Sequence, residues 1–194
     1  MKGVIVFVKN PELGKVKTRL AQTLGDKEAL SIYKKLLEYT RSVLLELNEA
    51  ERFVFYSSFI DEEDEWSATE FQKYLQKGSD LGHRMSSAFE TILKRCEQVL
   101  IIGSDCAQLT SDHLDQAFAF LDSHDMVIGP SQDGGYYLLG MNHHYPFLFE
   151  NIVWSSETVF QETVGKAIEH NLKYVELEVL SDIDNEEDWN RYGL

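Results

Sequence analysis

The chain has 194 residues, with 18 Lys plus Arg against 33 Asp plus Glu, a formal net charge of −15. Hydrophobic residues at 43% and charged residues at 26% suit a globular chain with a full core. The negative charge excludes a broad nucleic-acid surface, two cysteines (Cys96 and Cys106) exclude a disulfide framework, and no run reaches the ~18 apolar residues of a membrane span.

The first apolar run, GVIVFV within residues 2–8, reads as a buried strand; it is too short for a signal-peptide core, so a single cytoplasmic domain over residues 1–194 is expected. Residues 28–47 recur in apolar character at three and four and predict a long amphipathic helix. ERFVFYSS at 51–58 predicts a second buried strand, 61–66 an acidic loop or helix start, and 71–77 a short strand, with a helix end as the alternative. The stretch 78–96 opens as a loop and continues as a helix; 98–103 is a buried strand; 110–124 is a helix capped by Thr110 or Ser111. A strand at 125–130 stops at Gly129 and Pro130, SQDGG turns the chain, and 136–141 is the next strand. A helix over 155–171 is expected to be capped by Ser155 or Ser156, followed by an edge strand at 172–180 and a short acidic helix near the C-terminus. Strands alternating with helices predict a layered α/β fold with a mainly parallel sheet. The 125–141 pair and the 172–180 strand are expected to add an antiparallel portion.

In open α/β sheets, ligands bind beyond the carboxyl ends of the strands. The first strand is followed by KNPELGKVKTRL, which gathers Lys9, Lys15, Lys17 and Arg19 in an acidic chain. Gly14 permits close backbone approach, the lysines supply point charges, and Arg19 can grip two oxygens, so the stretch is either a phosphate-binding loop or a solvated basic loop paired with surface carboxylates. It is not a Walker A loop, because Val16 follows Gly14-Lys15.

Asp105 follows the strand at 98–103, and Asp182 and Asp184 lie two apart in SDID. One or two such carboxylates can hold Mg²⁺ or Mn²⁺ against a diphosphate. The alternatives are a helix cap at Asp105 and an exposed acidic turn at SDID. Asp133-Gly134-Gly135-Tyr136-Tyr137 is either a hairpin turn or a sugar- or acceptor-binding turn with a stacking ring. Asp80 and Arg84 in GSDLGHRM are either helix-start residues or contacts to phosphate or base. Trp154 is expected in the core or in a pocket wall. His83, His143 and His144 lack zinc-ligand spacing with the cysteines, and Ser104 and Cys106 have no evident paired base.

Taken in order, KNPELGKVKTRL, SDLGHRM, GSDCAQL, GPSQDGGYYLLGM, WSSETVF and SDIDNEEDW resemble the motifs of the bacterial selenodomain-associated transferase family. That resemblance implies the GT-A fold of nucleotide-diphospho-sugar transferases, a three-layer α/β/α, Rossmann-like fold with a mainly parallel, mixed sheet. It also implies a divalent metal at Asp105 and transfer of a sugar from a nucleoside-diphosphate sugar to an unknown acceptor, with Asp133 as a base for the acceptor hydroxyl. The same fold carries nucleotidyltransferases, and DIDNEEDW is similar to their DIDTPEDL-like ends. Use of an NTP with release of pyrophosphate is therefore the alternative, and an inactive nucleotide-binding module a third. Ala107 and Leu13 depart from prolines frequent at those points, and the glycine-rich GGxSxRMG loop is missing.

Overall fold

The computed structural model describes residues 1–194. The strands are β1 (Lys2–Val8), β2 (Ala50–Tyr56), β3 (Gln72–Leu75), β4 (Gln98–Ile102), β5 (Met126–Pro130), β6 (Tyr136–Met141) and β7 (Tyr174–Glu176). The helices are α1 (Thr18–Leu24), α2 (Asp26–Glu46), α3 (Leu81–Ile92), α4 (Ser111–Leu121), α5 (Val159–Glu169) and α6 (Glu186–Tyr192). One seven-stranded sheet has the order β3-β2-β1-β4-β6-β5-β7. Only β6 runs against its neighbours: it is antiparallel to β4 and β5, while β1 pairs in parallel with both β2 and β4. The expected three-layer α/β/α fold with a mainly parallel, mixed sheet is what the chain adopts.

Two apolar clusters follow from the period of two along the strands. Val4, Val6 and Val8 of β1 face Tyr33 and Leu44 of α2 and Phe118 of α4. Ile5 of β1 with Phe53 and Phe55 of β2 faces Met85, Phe89 and Ile92 of α3. A third, smaller cluster joins Leu20 of α1 and Ile32 and Leu36 of α2 to Ile183, near the C-terminus. Strand order reverses between β1 and β4, since the chain proceeds from β1 to β2 and β3 and then returns to β1's other side. The loops after β1 and β4 therefore frame the crevice of a topological switch point.

Three expectations need correction. The strand at 172–180 is at the edge but runs parallel to β5, not in an antiparallel portion. The chain leaves β6 beside Asp125, where the Asn142 amide donates to the Asp125 carbonyl, and climbs back to lay Glu157 against Gly134 before α5. The helix then descends, so β7 starts level with β5, where the Asp125 amide donates to Lys173 O. Regular pairing covers only Tyr174–Glu176; Val179 is exposed, and contact resumes with the bridge from Leu180 to Ser131. Lastly, α5 begins at Val159 after Thr158, not after the serines. Ser155 takes a left-handed φ of 65°, which breaks the helix, and Ser156 Oγ donates instead to Val153 O at 2.7 Å. A short 3-10 turn at Pro146–Phe149 has no counterpart in the expected elements.

Candidate functional site

The loop after β1 is built by hydrogen bonds, not by its charges. Asn10 is 3% exposed, and its carboxamide oxygen accepts from the amides of Ser58 and Phe59 while its Nδ2 donates to Phe59 O at 2.9 Å. Tyr33, on α2, accepts from the Lys9 amide at 2.9 Å, donates to the Lys9 carbonyl at 3.0 Å, and comes within 3.4 Å of Ser104 Oγ. One buried phenol thus ties the end of β1 to the residue before Asp105. Its burial, reinforced by the charge of Asp105, raises its pKa, so the hydroxyl keeps its proton. Neither Asn10 nor Tyr33 carries a sequence signal beyond "turn" and "apolar stripe".

Lys17, Asp105 and Ile183 meet at the centre. The Lys17 side chain is 5% exposed, with Nζ 2.9 Å from Asp105 Oδ1 and donating to Ile183 O at 2.6 Å. The Ile183 amide donates to the Asp105 carbonyl at 2.8 Å. A fully buried Ile183 thus clamps both sides of the crevice through its backbone, while its side chain packs with Leu20 and Ile32. Asp105 Oδ1 is buried and has no aligned hydrogen bond, so its contact with Lys17 is ionic only. Lys17 itself sits at φ 49°, a left-handed conformation that costs a side-chain-bearing residue about 1 kcal/mol or more.

The two SDID carboxylates divide their work. Burial pushes the Asp182 carboxyl up to about 7, helped by the negative charges of Asp105, Asp133 and Asp184 and opposed by Lys17. Asp182 therefore feels Asp105 and Asp133 as one acidic field. Asp184 is turned to Arg19, whose Nη1 lies 3.0 Å from Oδ2. Lys15 pairs with Glu12 at 2.7 Å, and Lys9 extends toward the far side of β1. The four cations of the loop are thus brought to one strand end but not to one point. Gly14 has a φ of 75° and turns the loop beside Asp26.

Asp133 closes its own turn: Oδ1 accepts from Ser131 Oγ and from the Gly135 amide at 3.0 Å. Gly134 has φ 88°, and a Cβ there would lie 2.0 Å from Glu157 O, so only glycine fits. Tyr136 is not a free ring: it packs between α3 and α5 with its hydroxyl toward Met85 Sδ. Tyr137 is buried and donates to Glu178 O at 3.0 Å. Asp80 is the N-cap of α3, accepting from the His83 amide at 2.9 Å, which holds its carboxyl below the usual range. Arg84 reaches toward Gln76, whose Nε2 donates to the Val8 and Phe55 carbonyls at the ends of β1 and β2. Trp154 lies flat on Gly82, where a Cβ would come within 2.4 Å of the indole, so the GSDLGHRM and WSSETVF motifs touch.

No group of three or more His, Cys, Asp or Glu side chains converges closely enough to hold a metal ion by itself. The crevice offers Asp105, with its orphaned buried oxygen, and Asp182, whose proton is held there by burial and by neighbouring negative charge. One or two carboxylates, with waters and substrate phosphate completing the sphere, are what Mg²⁺ ordinarily takes from protein. Cys106 is no nucleophile at neutral pH, since burial pushes its thiol up to about 12. No helix is long and apolar enough to cross a membrane.

Comparison with known proteins agrees with this architecture. A 2-phospho-L-lactate guanylyltransferase of Methanocaldococcus vulcanius is 25% identical over 142 residues, which is 70% of this chain. The match spans 60% of that relative's length. A solved structure from Desulfovibrio desulfuricans G20, provisionally named a nucleotide-diphospho-sugar transferase, has a TM-score of 0.87 at 30% identity, covering 95% of this chain and 82% of that one. The inositol-1-phosphate CTP transferase of T. maritima shares the fold, with a TM-score of 0.65 at 15% identity, covering 97% of this chain and 91% of that one. The chain thus shares the Rossmann-like fold of these transferases. The profile described as "Uncharacterized protein conserved in bacteria (DUF2064)" matches residues 40–156, a span that includes Asp105, Asp133 and Trp154, and the chain belongs to that family.

Proposed function

We propose that the chain is a metal-assisted nucleotidyltransferase that uses an NTP and releases pyrophosphate. The observation that carries this reading is the Lys17–Asp105–Ile183 clamp at the switch point, with Asp182 beside it in a field of negative charge. The guanylyltransferase relative favours NTP use. In the reaction, an acceptor oxygen bonds to the α-phosphorus, the bond from that phosphorus to the bridging oxygen breaks, and pyrophosphate leaves with the electron pair.

Asp105 and Asp182 would hold Mg²⁺ or Mn²⁺, which when bound supplies Lewis acidity and neutralises phosphate charge. Lys17 would then exchange its contact with Asp105 for a phosphate oxygen, while its bond to Ile183 O keeps the stem in place. Arg19 would leave Asp184 for the terminal phosphates, adding two parallel hydrogen bonds. Lys15 and the turn at Gly14 flank that path, while Lys9 extends to the far side of β1 and stands off it. Arg84, near the ends of β1 and β2, would face the base or ribose, and Asp80 fixes the helix start that aims it. On the acceptor side stand the Asp133–Gly135 turn and Trp154, and Asp133 would accept the proton of the acceptor hydroxyl.

The second reading is transfer from a nucleoside-diphosphate sugar, favoured by the D. desulfuricans structure. A thermal-shift panel of NTPs, NDPs and NDP-sugars with Mn²⁺ separates the readings, because ligand that binds the native state raises Tm by mass action. A metal-dependent shift with one NTP is expected. A shift confined to an NDP-sugar would replace the first reading by the second, and no shift with any nucleotide would overturn both. Asp105→Ala should abolish the metal-dependent part of the shift; an unchanged shift would remove the metal from Asp105.

A further inference from the structure

The protein has a cavity of about 510 Å³ on the other side of β1 from Asp105. It lies over the ends of β1 and β2, at Val8 and Tyr56, between α2 and the loop that runs from Asp61 to Trp66. Its two walls differ in sign. Lys9, Lys34 and Arg41 come from the β1 end and α2, while Asp61, Asp64 and Glu65 come from the facing loop. The chain's ion pairs leave Lys9, Lys34 and Arg41 without a carboxylate partner. Glu38 stands on α2 one turn from both Lys34 and Arg41 and pairs with neither.

Arg41 gives the sharper signal. Its Nε is buried and has no hydrogen-bond partner. Buried donors without partners are rare, because desolvation of the group is then uncompensated. The one other side-chain atom in this condition is Asp105 Oδ1, in the site described above. The opposite wall is held in place: Asp64 accepts from Tyr56 Oη at 2.6 Å and from Lys73 Nζ at 2.8 Å, with Lys73 6% exposed. That fixes the loop against β2 and β3 and keeps Asp61 and Glu65 facing the cations across open space.

We propose that this cavity is a second ligand site, for a small molecule with a phosphate head and a hydrogen-bond-donating tail. The phosphate oxygens meet Arg41, Lys34 and Lys9, and the tail, a hydroxyl or an ammonium, meets Asp61 and Glu65. A guanidinium and two ammoniums on one side match a phosphate, and carboxylates on the other accept only from donors. The inference is independent of which nucleotide the Asp105 crevice takes, since the two sites lie on opposite sides of β1.

Isothermal titration of the full chain with inorganic phosphate, glycerol 3-phosphate and phosphoethanolamine tests the assignment. One of the two organophosphates should bind more tightly than inorganic phosphate; which one does so identifies the tail as hydroxyl or ammonium. Arg41→Met and Lys34→Glu should each weaken binding by about tenfold or more, the scale of a lost charge-assisted contact. Lys34 is on the exposed side of α2, so its variant folds even where loss of Arg41 disturbs packing. Asp105→Ala should leave this binding unchanged. No binding of any probe, binding indifferent to Lys34→Glu, or competition by saturating NTP with Mn²⁺ would each overturn the second site.

Discussion

Asp182 shows how the site's charges act on one residue. An ordinary aspartate loses its proton near pH 4, whereas burial beside Asp105 and Asp133 holds the Asp182 proton up to about 7. Between those values the folded chain binds a proton that the unfolded chain does not. Stability therefore falls as pH rises through that window, and the protonated form contributes fully only at its acid end. A cation that binds the carboxylate must displace the same proton. Its affinity should then climb by up to about tenfold per pH unit below 7 and level off above, because binding releases one proton. Titrating Mn²⁺ between pH 5.5 and 8.5 reads the slope directly; Asp182→Asn should flatten it and should raise the urea midpoint at pH 8. A flat profile in the unaltered chain would show that Asp182 is not in the cation's sphere. Gly134 is a residue of the opposite kind, with no charge to offer. Gly134→Ala would press a methyl into Glu157 O at a φ of 88°, so we expect a lower Tm and loss of the turn that presents Asp133.

At the scale of elements, the sequence was legible wherever pattern and packing agree. The strands after Lys2, Ala50, Gln98, Met126 and Tyr136 are continuous apolar runs because helices cover both faces of the sheet, and such runs are hard to misplace. The start of α5 was misread because Ser155 and Ser156 look like caps, yet Ser155's left-handed backbone makes them a turn. The edge strand was overextended because alternation in 172–180 continues where backbone pairing does not. At the site, Asp105, Lys17 and SDID could be found as charges at strand ends, since strand ends are where such sheets bind ligands. Tyr33, Asn10 and Ile183 could not. Their function is to hold backbone by hydrogen bonds from buried positions, and a tyrosine on an apolar helical stripe looks like any core residue. Helix α2 is in this sense part of the site. Tyr33→Phe keeps the ring but removes the hydroxyl that links Lys9 to Ser104, leaving the Lys9 amide without its partner. We expect a loss of about 1–2 kcal/mol in urea unfolding and a weaker nucleotide-induced rise in Tm. An unaltered nucleotide response would confine Tyr33 to the core.

On the scale of the whole molecule, the crevice is assembled from chain segments far apart in sequence, and it is closed last. The loop after β1 and the loop after β4 meet at the switch point through Lys17 with Asp105 and through Tyr33, and residue 183 adds a backbone bond to each of Lys17 and Asp105. Beyond β7 the chain adds to the sheet only the Leu177 amide bond to Ile128 O and the bridge at Leu180. Its last segment instead crosses the carboxyl ends of the strands, lays Ile183 on α1 and α2, and anchors α6 with Asn185 and Asp188 in a reciprocal cap. Removing residues 181–194 therefore leaves every sheet strand and both large apolar clusters intact. It takes away Asp182, the carbonyl that holds Lys17, the amide that holds Asp105 and the partner of Arg19. We expect the shortened chain to keep the far-UV circular dichroism of a folded α/β protein and to unfold cooperatively. Its urea midpoint should be lower, because burial of Ile183 alone is worth about 2–4 kcal/mol. Its Tm should not respond to any nucleotide with Mn²⁺. A shortened chain that still responds would mean that the loops after β1 and β4 hold the ligand unaided, and that the C-terminal segment braces the fold without taking part in binding.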